Sequence, residues 1–344
     1  MSSLRFKCWK HAALAFVVLG FATGCGRKAK SGDGSANSPT KETTSSENPA
    51  AKGAPTPPEE IWKHFSGDRA FADVKKQVEI GPRPSGTPEI EPARAHIVSS
   101  LEVAGWAVEK QEFTAPTPRG PMKFVNIIGR FASGGARPVS ANTQRAIVCS
   151  HYDTKRFSTI KFVGASDGAS STGALLELAR TLALDHALAA KVELVFFDGE
   201  EALVNFTGPE DPNPDGLFGS RHYARQLRES GRAKQFKFAI LWDMIGDKDL
   251  TITLSPDSPQ ELMREILASA ENLGVRHHFE LYERSILDDH ICLSMIARIP
   301  AINLIDFKYD AWHTADDTLD KLSPASLQTV GAVTLLHLKK ALAK

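Results

Sequence analysis

Phe196-Phe197-Asp198-Gly199-Glu200-Glu201-Ala202 places two adjacent carboxylates at the end of a predicted buried strand, Val192 to Phe197. On a regular strand, neighbouring side chains point to opposite faces. Glu200 and Glu201 therefore enter one site only if the chain leaves strand geometry there, and Gly199 permits that departure. Once both are in one site, one carboxylate can hold a metal while the other moves a proton.

Outward from this stretch, apolar strands alternate with helices. Strands are predicted near 107–113, 124–130, 146–150, 192–197, 238–244 and 301–305, and helices near 89–104, 173–184, 220–229, 259–273 and 324–342. The alternation predicts an α/β fold, a three-layer sandwich with a mixed, centrally parallel sheet flanked by helices. His151 and Asp153 follow one predicted strand, Glu200 and Glu201 follow another, Asp243 ends a third, and His313 follows the last by a loop. Ligands of open α/β sheets gather outside the carboxyl ends of the strands. Packing alone does not explain so many acidic and imidazole groups at those ends.

Each candidate also has a plainer reading. Asp167, in Gly164-Ala165-Ser166-Asp167-Gly168-Ala169, stands where a helix N-cap is expected. His313, in Ala311-Trp312-His313-Thr314-Ala315-Asp316-Asp317, reads equally as a surface histidine before a turn, and Glu201 as a solvated loop acid. Taken together, Asp167, Glu201 and His313 form an oxygen, oxygen, nitrogen set that suits zinc with a fourth position open. Glu200 is then the natural general base, with a plain supporting acid as its alternative role. Asp243 lies in the apolar stretch Trp242-Asp243-Met244, where a lone buried carboxylate is costly unless bonded. Asp288-Asp289-His290 is a further acidic pair, for which helix capping competes.

The ends and the composition bound the rest. Arg5, Lys7 and Lys10 precede an apolar run from Ala12 to Gly24 that is short for a membrane span, and Ala22-Thr23-Gly24-Cys25 resembles a bacterial lipoprotein cleavage box. Residues 1–24 are expected to be a signal peptide, Cys25 the lipidated first mature residue, 25–58 a disordered linker and 59–344 a single catalytic domain. The expected location is therefore outside the cytoplasm, on a membrane-anchored bacterial lipoprotein. The linker is rich in Ser, Gly, Thr, Pro and Lys, and it cannot bury enough surface to offset its ordering entropy. The 344 residues carry 41 basic and 41 acidic side chains with no basic stripe, which argues against a nucleic-acid partner. Only Cys149 and Cys292 fall in the body, and they form no zinc-type pair.

Five landmarks now carry a resemblance: His151-Tyr152-Asp153-Thr154-Lys155, the Gly164–Ala169 turn, Phe196–Ala202, Asp288-Asp289-His290 and Trp312-His313-Thr314. Over about residues 68 to 342 the chain resembles the zinc-dependent peptidase superfamily that contains bacterial leucyl aminopeptidases. More closely, it is similar to the glutaminyl-peptide cyclotransferases of the animal type. The resemblance implies one zinc on Asp167, Glu201 and His313, polarising the γ-amide of an N-terminal glutamine while the substrate's own α-amine attacks. It implies that Glu200 passes the proton to departing ammonia, that Asp288 and Asp243 form an acidic network around it, and that Trp312 walls the pocket. The implied partners are peptides or proteins with N-terminal Gln, and a monomer is expected.

There are departures from the family pattern. Phe206 stands where animal cyclases carry Trp, and Lys308 lies where they carry an aromatic, for which Phe307 or Tyr309 are the available substitutes. The loop between Asp153 and Asp167 is shorter. The family's disulfide cannot form, because Cys149 is alone there and Thr172 occupies its partner's place. The main rival is a two-zinc aminopeptidase, in which His151 and Asp243 complete a second metal site. A non-catalytic binding domain is the remaining alternative, and the retention of every ligand argues against it.

Overall fold

The computed structural model describes residues 56–132 and 143–343. The expected signal peptide, Cys25 and the linker up to residue 55 lie outside the described residues. Along the chain run α1 (Gly67–Ile80), α2 (Glu91–Val103), β1 (Trp106–Ala115), β2 (Met122–Phe131), β3 (Arg145–His151), α3 (Ser171–Leu182), α4 (His186–Ala189) and β4 (Val192–Phe197). Then follow α5 (Phe218–Glu229), β5 (Phe236–Asp243), β6 (Ile252–Leu254), α6 (Gln260–Asn272), β7 (Phe279–Leu281), α7 (Asp289–Met295), β8 (Ala301–Ile305) and α8 (Pro324–Leu342).

The strands form one sheet in the order β1-β2-β4-β3-β5-β8-β6-β7. The central run β4-β3-β5-β8 is parallel, β1, β2 and β4 pair antiparallel, and β6 pairs antiparallel to β8 and parallel to β7. This is the mixed, centrally parallel sheet that the alternation predicts. Its central strands bury nearly every residue because both faces are covered. The strand period of two sorts their side chains between layers. Val148, Leu194, Phe196, Ile240 and Trp242 pack into the core beneath α1, α3 and α8, whereas Ile147, Cys149, Val195, Phe197 and Leu241 pack beneath α5 and α7.

Five elements escape the periodicity reading, the four-residue α4 among them. α1 buries Gly67, Ala70, Asp73, Val74 and Gln77, so its inner face is helical in spacing but partly polar, which breaks the apolar signal. β6 and β7 have three residues each and α7 has seven, too short for a period to register. The plainer reading of Asp167 also fails: α3 begins at Ser171, and Asp167 sits in the preceding irregular turn with φ −80° and ψ 97°. Asp288 does cap α7, accepting from Asp289 N at 2.5 Å. Cys149 and Cys292 are both buried free thiols on the same side of the sheet.

The start of α3 is held to α1 at close range. A Cβ on Gly173 would stand 2.8 Å from the Ala70 carbonyl oxygen and 2.9 Å from Val74 N, so backbone would have to move. Gly173→Ala is expected to cost ~1–3 kcal/mol through overpacking, read as a lower urea midpoint, and an unchanged midpoint would contradict this packing.

Candidate metal centre and pocket

β4 ends at Phe197, and the chain then turns. Gly199 has φ 75°, and a Cβ there would meet the Phe124 ring at 2.5 Å, so the turn requires glycine. Asp198 is engaged on the β2 side: Oδ1 accepts from Ser85 Oγ at 2.5 Å, Oδ2 from Val125 N at 2.7 Å, and Arg94 pairs with Oδ2. The next two amides close on Asp153, Glu200 N donating to Oδ1 at 3.2 Å and Glu201 N to Oδ2 at 3.4 Å. A single carboxylate takes two successive N–H groups, and both glutamates reach the same cavity.

Two trios meet at Asp167. In the first, Asp167 Oδ2 and Glu201 Oε1 each lie 3.2 Å from His313 Nε2. In the second, Asp167 Oδ1 and Asp243 Oδ1 each lie 3.2 Å from His151 Nε2. Within each trio the three donor atoms all stand within 4.8 Å of one another. A ring nitrogen carries at most one proton, so it cannot serve two carboxylate oxygens at once. Asp167 Oδ2 and Glu201 Oε2 have no hydrogen-bond donor, although Lys155 Nζ stands 3.4 Å from the latter. Buried carboxylate oxygens short of donors, beside an imidazole, fit a divalent cation such as zinc.

Burial dominates the electrostatics. It pushes Glu200 well up, with Glu201, Asp288 and Asp289 adding to the rise against the opposing pull of His151. It likewise raises Glu201, and it lifts Asp243 to about 7. Burial works against charge on the two histidines, but their carboxylate neighbours win: His313 rises to about 9 beside Asp167 and Glu201, and His151 also rises. Burial opposes ionisation of Asp167 too, yet the two imidazoles hold it well below the usual carboxylate range. Without a cation, Asp167 therefore stays ionised between two protonated histidines, and an entering cation takes the place of those protons.

The centre floors a cavity of about 200 Å³ whose lining includes Asp167, Glu200, Glu201, Asp243, Asp288 and His313. Its walls include Phe206, Phe307 and Trp312, all expected from the sequence. Trp312 stacks on His313 with ring centroids 4.3 Å apart, and Phe307 meets Trp312 at 5.4 Å. Of the two substitutes for the missing aromatic, Phe307 takes the wall; the Tyr309 hydroxyl instead donates to Asp317 at 2.7 Å, and Lys308 pairs with Glu280. A larger groove of about 740 Å³ lies over β1 and β2 and contains none of the site residues.

Asp153 is singled out in the sequence as a strand-end acid without a role, and two further supporting residues, Asn303 and Asp317, are absent from the sequence-derived candidate set. Asp153 turns the glutamates inward. Asn303 donates from Nδ2 to Asp288 Oδ2 at 2.7 Å, and its one signal is a polar side chain within an apolar strand. Asp317 accepts from Ser166 N at 2.7 Å and Asp167 N at 3.1 Å, tying the Asp167 turn to the segment that carries His313. His313 itself has φ 57° and Met244, after Asp243, has φ 46°, so backbone strain is concentrated beside two candidate ligands.

Comparison with known proteins places this geometry. The model of peptidase family M28 matches residues 126–337. A glutaminyl-peptide cyclotransferase-like protein of Bos taurus is 31% identical over 287 residues, covering 74% of this chain and 71% of that one. A crystal structure of an Acidobacteriales bacterium glutaminyl cyclase has a TM-score of 0.70 at 30% identity, covering 86% of this chain and 98% of that one. A leucine aminopeptidase precursor from Bacteroides thetaiotaomicron has a TM-score of 0.69 at 26% identity, over 80% of this chain and 97% of that one. Fold likeness alone thus spans both chemistries, whereas the relative in sequence bears the cyclotransferase name. The chain belongs to peptidase family M28 and, within it, to the glutaminyl-peptide cyclotransferases.

Proposed function

We propose that the chain converts N-terminal glutamine of peptides and proteins to pyroglutamate with release of ammonia, as an acyltransferase with one zinc on Asp167, Glu201 and His313. The observation that carries this reading is Glu200, buried and raised, beside that trio in a small aromatic-walled cavity. When bound there, zinc supplies a Lewis acid for the γ-carboxamide carbonyl. The reaction forms a bond from the α-nitrogen to the γ-carbonyl carbon and breaks the bond from that carbon to the amide nitrogen. Glu200 takes the proton that the α-amine loses and gives it to the departing nitrogen, which leaves as ammonia. A carboxyl whose pKa burial raises well above the usual carboxylate range is suited to both transfers.

The other residues set up this exchange. Phe206, Phe307 and Trp312 hold the glutamine side chain folded toward its own amine, which replaces a bimolecular encounter by a conformational one. They also keep out water, the competing nucleophile. Asp288, fixed by Asp289 N and Asn303, adds negative potential that raises Glu200, while Asp243 faces His151. A monomer is retained as the proposed unit. A second reading has a specific observation behind it: the trio His151, Asp167 and Asp243 could take a second zinc, as in a two-metal aminopeptidase. For the ends of the chain we retain a leader over 1–24, a lipid on Cys25 and a linker over 25–58, with the catalytic domain over 59–344.

Purified protein is expected to release ammonia from Gln-initiated peptides, to leave leucine anilides uncut and to carry close to one zinc per chain. Efficient anilide cleavage with two bound metals would establish the aminopeptidase instead. Glu200→Gln should keep its zinc and lose roughly 10²–10⁴-fold in kcat, whereas Glu201→Gln should lose the metal; equal zinc retention in both would overturn the division of roles. Cys25→Ser should move the protein from the membrane fraction to the soluble one, and unaltered fractionation would count against the anchor.

A further inference from the structure

Two loops beside the centre are each closed at the base by a buried arginine. Arg83 is wholly buried and, among the described residues, pairs with no carboxylate. Its donors go to backbone: Nε to Tyr152 O at 2.9 Å, Nη1 to Val163 O at 2.6 Å and Nη2 to Gly164 O at 2.9 Å. The backbone N of Arg83 donates to Thr154 Oγ1 at 3.0 Å, and Thr154 N returns a bond to Arg83 O at 3.3 Å. One guanidinium therefore joins the residue after His151 to the residues just before the Asp167 turn. That turn is tight, because a Cβ on Gly164 would stand 2.3 Å from the Asp167 carbonyl oxygen.

The loop so closed also reaches the ligand His313. Phe157 and Phe162 lie within it, and each meets the His313 ring edge-on at 5.8 Å. Four carbonyls, those of Tyr152, Val163, Gly164 and, at 3.4 Å, Gly81, call for a planar fork, which lysine lacks. Burial lowers the Arg83 pKa to about 10, with Asp317, Asp167 and Asp153 acting in the other direction, so a cation stands behind the acids of the centre.

We propose that Arg83 is a positioning residue for the metal: by joining the two ends of the 152–164 loop, it sets the spacing of the ligands Asp167 and His313, with His151 held beside Asp167. The inference rests on the metal reading given above. Arg221 provides the comparison, because it closes the other loop in the same way, bonding Gly216 O, Gly208 O and Thr207 O at 3.0, 2.6 and 2.7 Å.

The test uses the zinc-loaded parent, Arg83→Lys and Arg221→Lys, each titrated with a chelator and each melted in metal-free form. Arg83→Lys is expected to melt close to the parent when metal-free, yet to hold zinc about 10-fold or more weakly, and excess zinc should return its kcat toward the parent value. Arg221→Lys should keep the parent's zinc affinity. Parent-like zinc affinity in Arg83→Lys, or an equal loss in Arg221→Lys, would overturn the proposal. If Arg83→Lys does not fold, Thr154→Val removes one acceptor alone; weaker zinc binding then supports the proposal and unchanged binding overturns it. Should the parent itself take up no zinc, the metal reading falls and Arg83's role falls with it.

Discussion

Two carboxylates in consecutive positions serve one site only when the backbone between them is turned, and here a third carboxylate turns it. Asp153 receives the amides of Glu200 and Glu201 on its two oxygens, and Gly199 supplies the left-handed residue that starts the turn. Ser85 Oγ bridges Asp153 Oδ2 at 3.1 Å to Asp198, which in turn holds Val125 of β2. The reactive glutamates are thus anchored through backbone bonds to three separate parts of the chain. Their side chains remain free for a metal and a proton.

The same arrangement concentrates unfavourable charge. Asp167, Glu200, Glu201, Asp243 and Asp288 are buried and line one cavity, with Asp153 buried behind the glutamates and His151, His313 and Lys155 as neighbouring cations. Burial of unpaired charge costs more than any local contact returns, and positive φ at His313 and Met244 adds strain. The fold tolerates this because the strand ends beneath the site are among its best-packed parts, covered on both faces. Stability lies in the layers, and the chemistry draws on it at their upper edge.

What was legible in the sequence follows from what each residue does with its side chain. Glu200, Glu201, Asp167, Asp243 and His313 display reactive groups at strand ends or turns, and such groups are conspicuous in apolar surroundings. Asp153, Asn303, Asp317 and Arg83 act on backbone amides, carbonyls or other side chains, and a residue type carries no mark of the group it will bond. The main strands were legible because burial on both faces writes unbroken apolar runs. α1 was not, since Asp73 and Gln77 occupy its inner face, and α7 is only two turns long.

The closed base of the 152–164 loop has a consequence for lineages as well as for the centre. Once Tyr152 is fastened to Val163 and Gly164, the length of chain between them no longer fixes where His151 and Asp167 stand. Residues can be gained or shed beyond the fastening at small entropic cost, provided that aromatic rings still reach His313. Loop length at that point is a freedom built into the fold, open at the rim while the site residues keep their places.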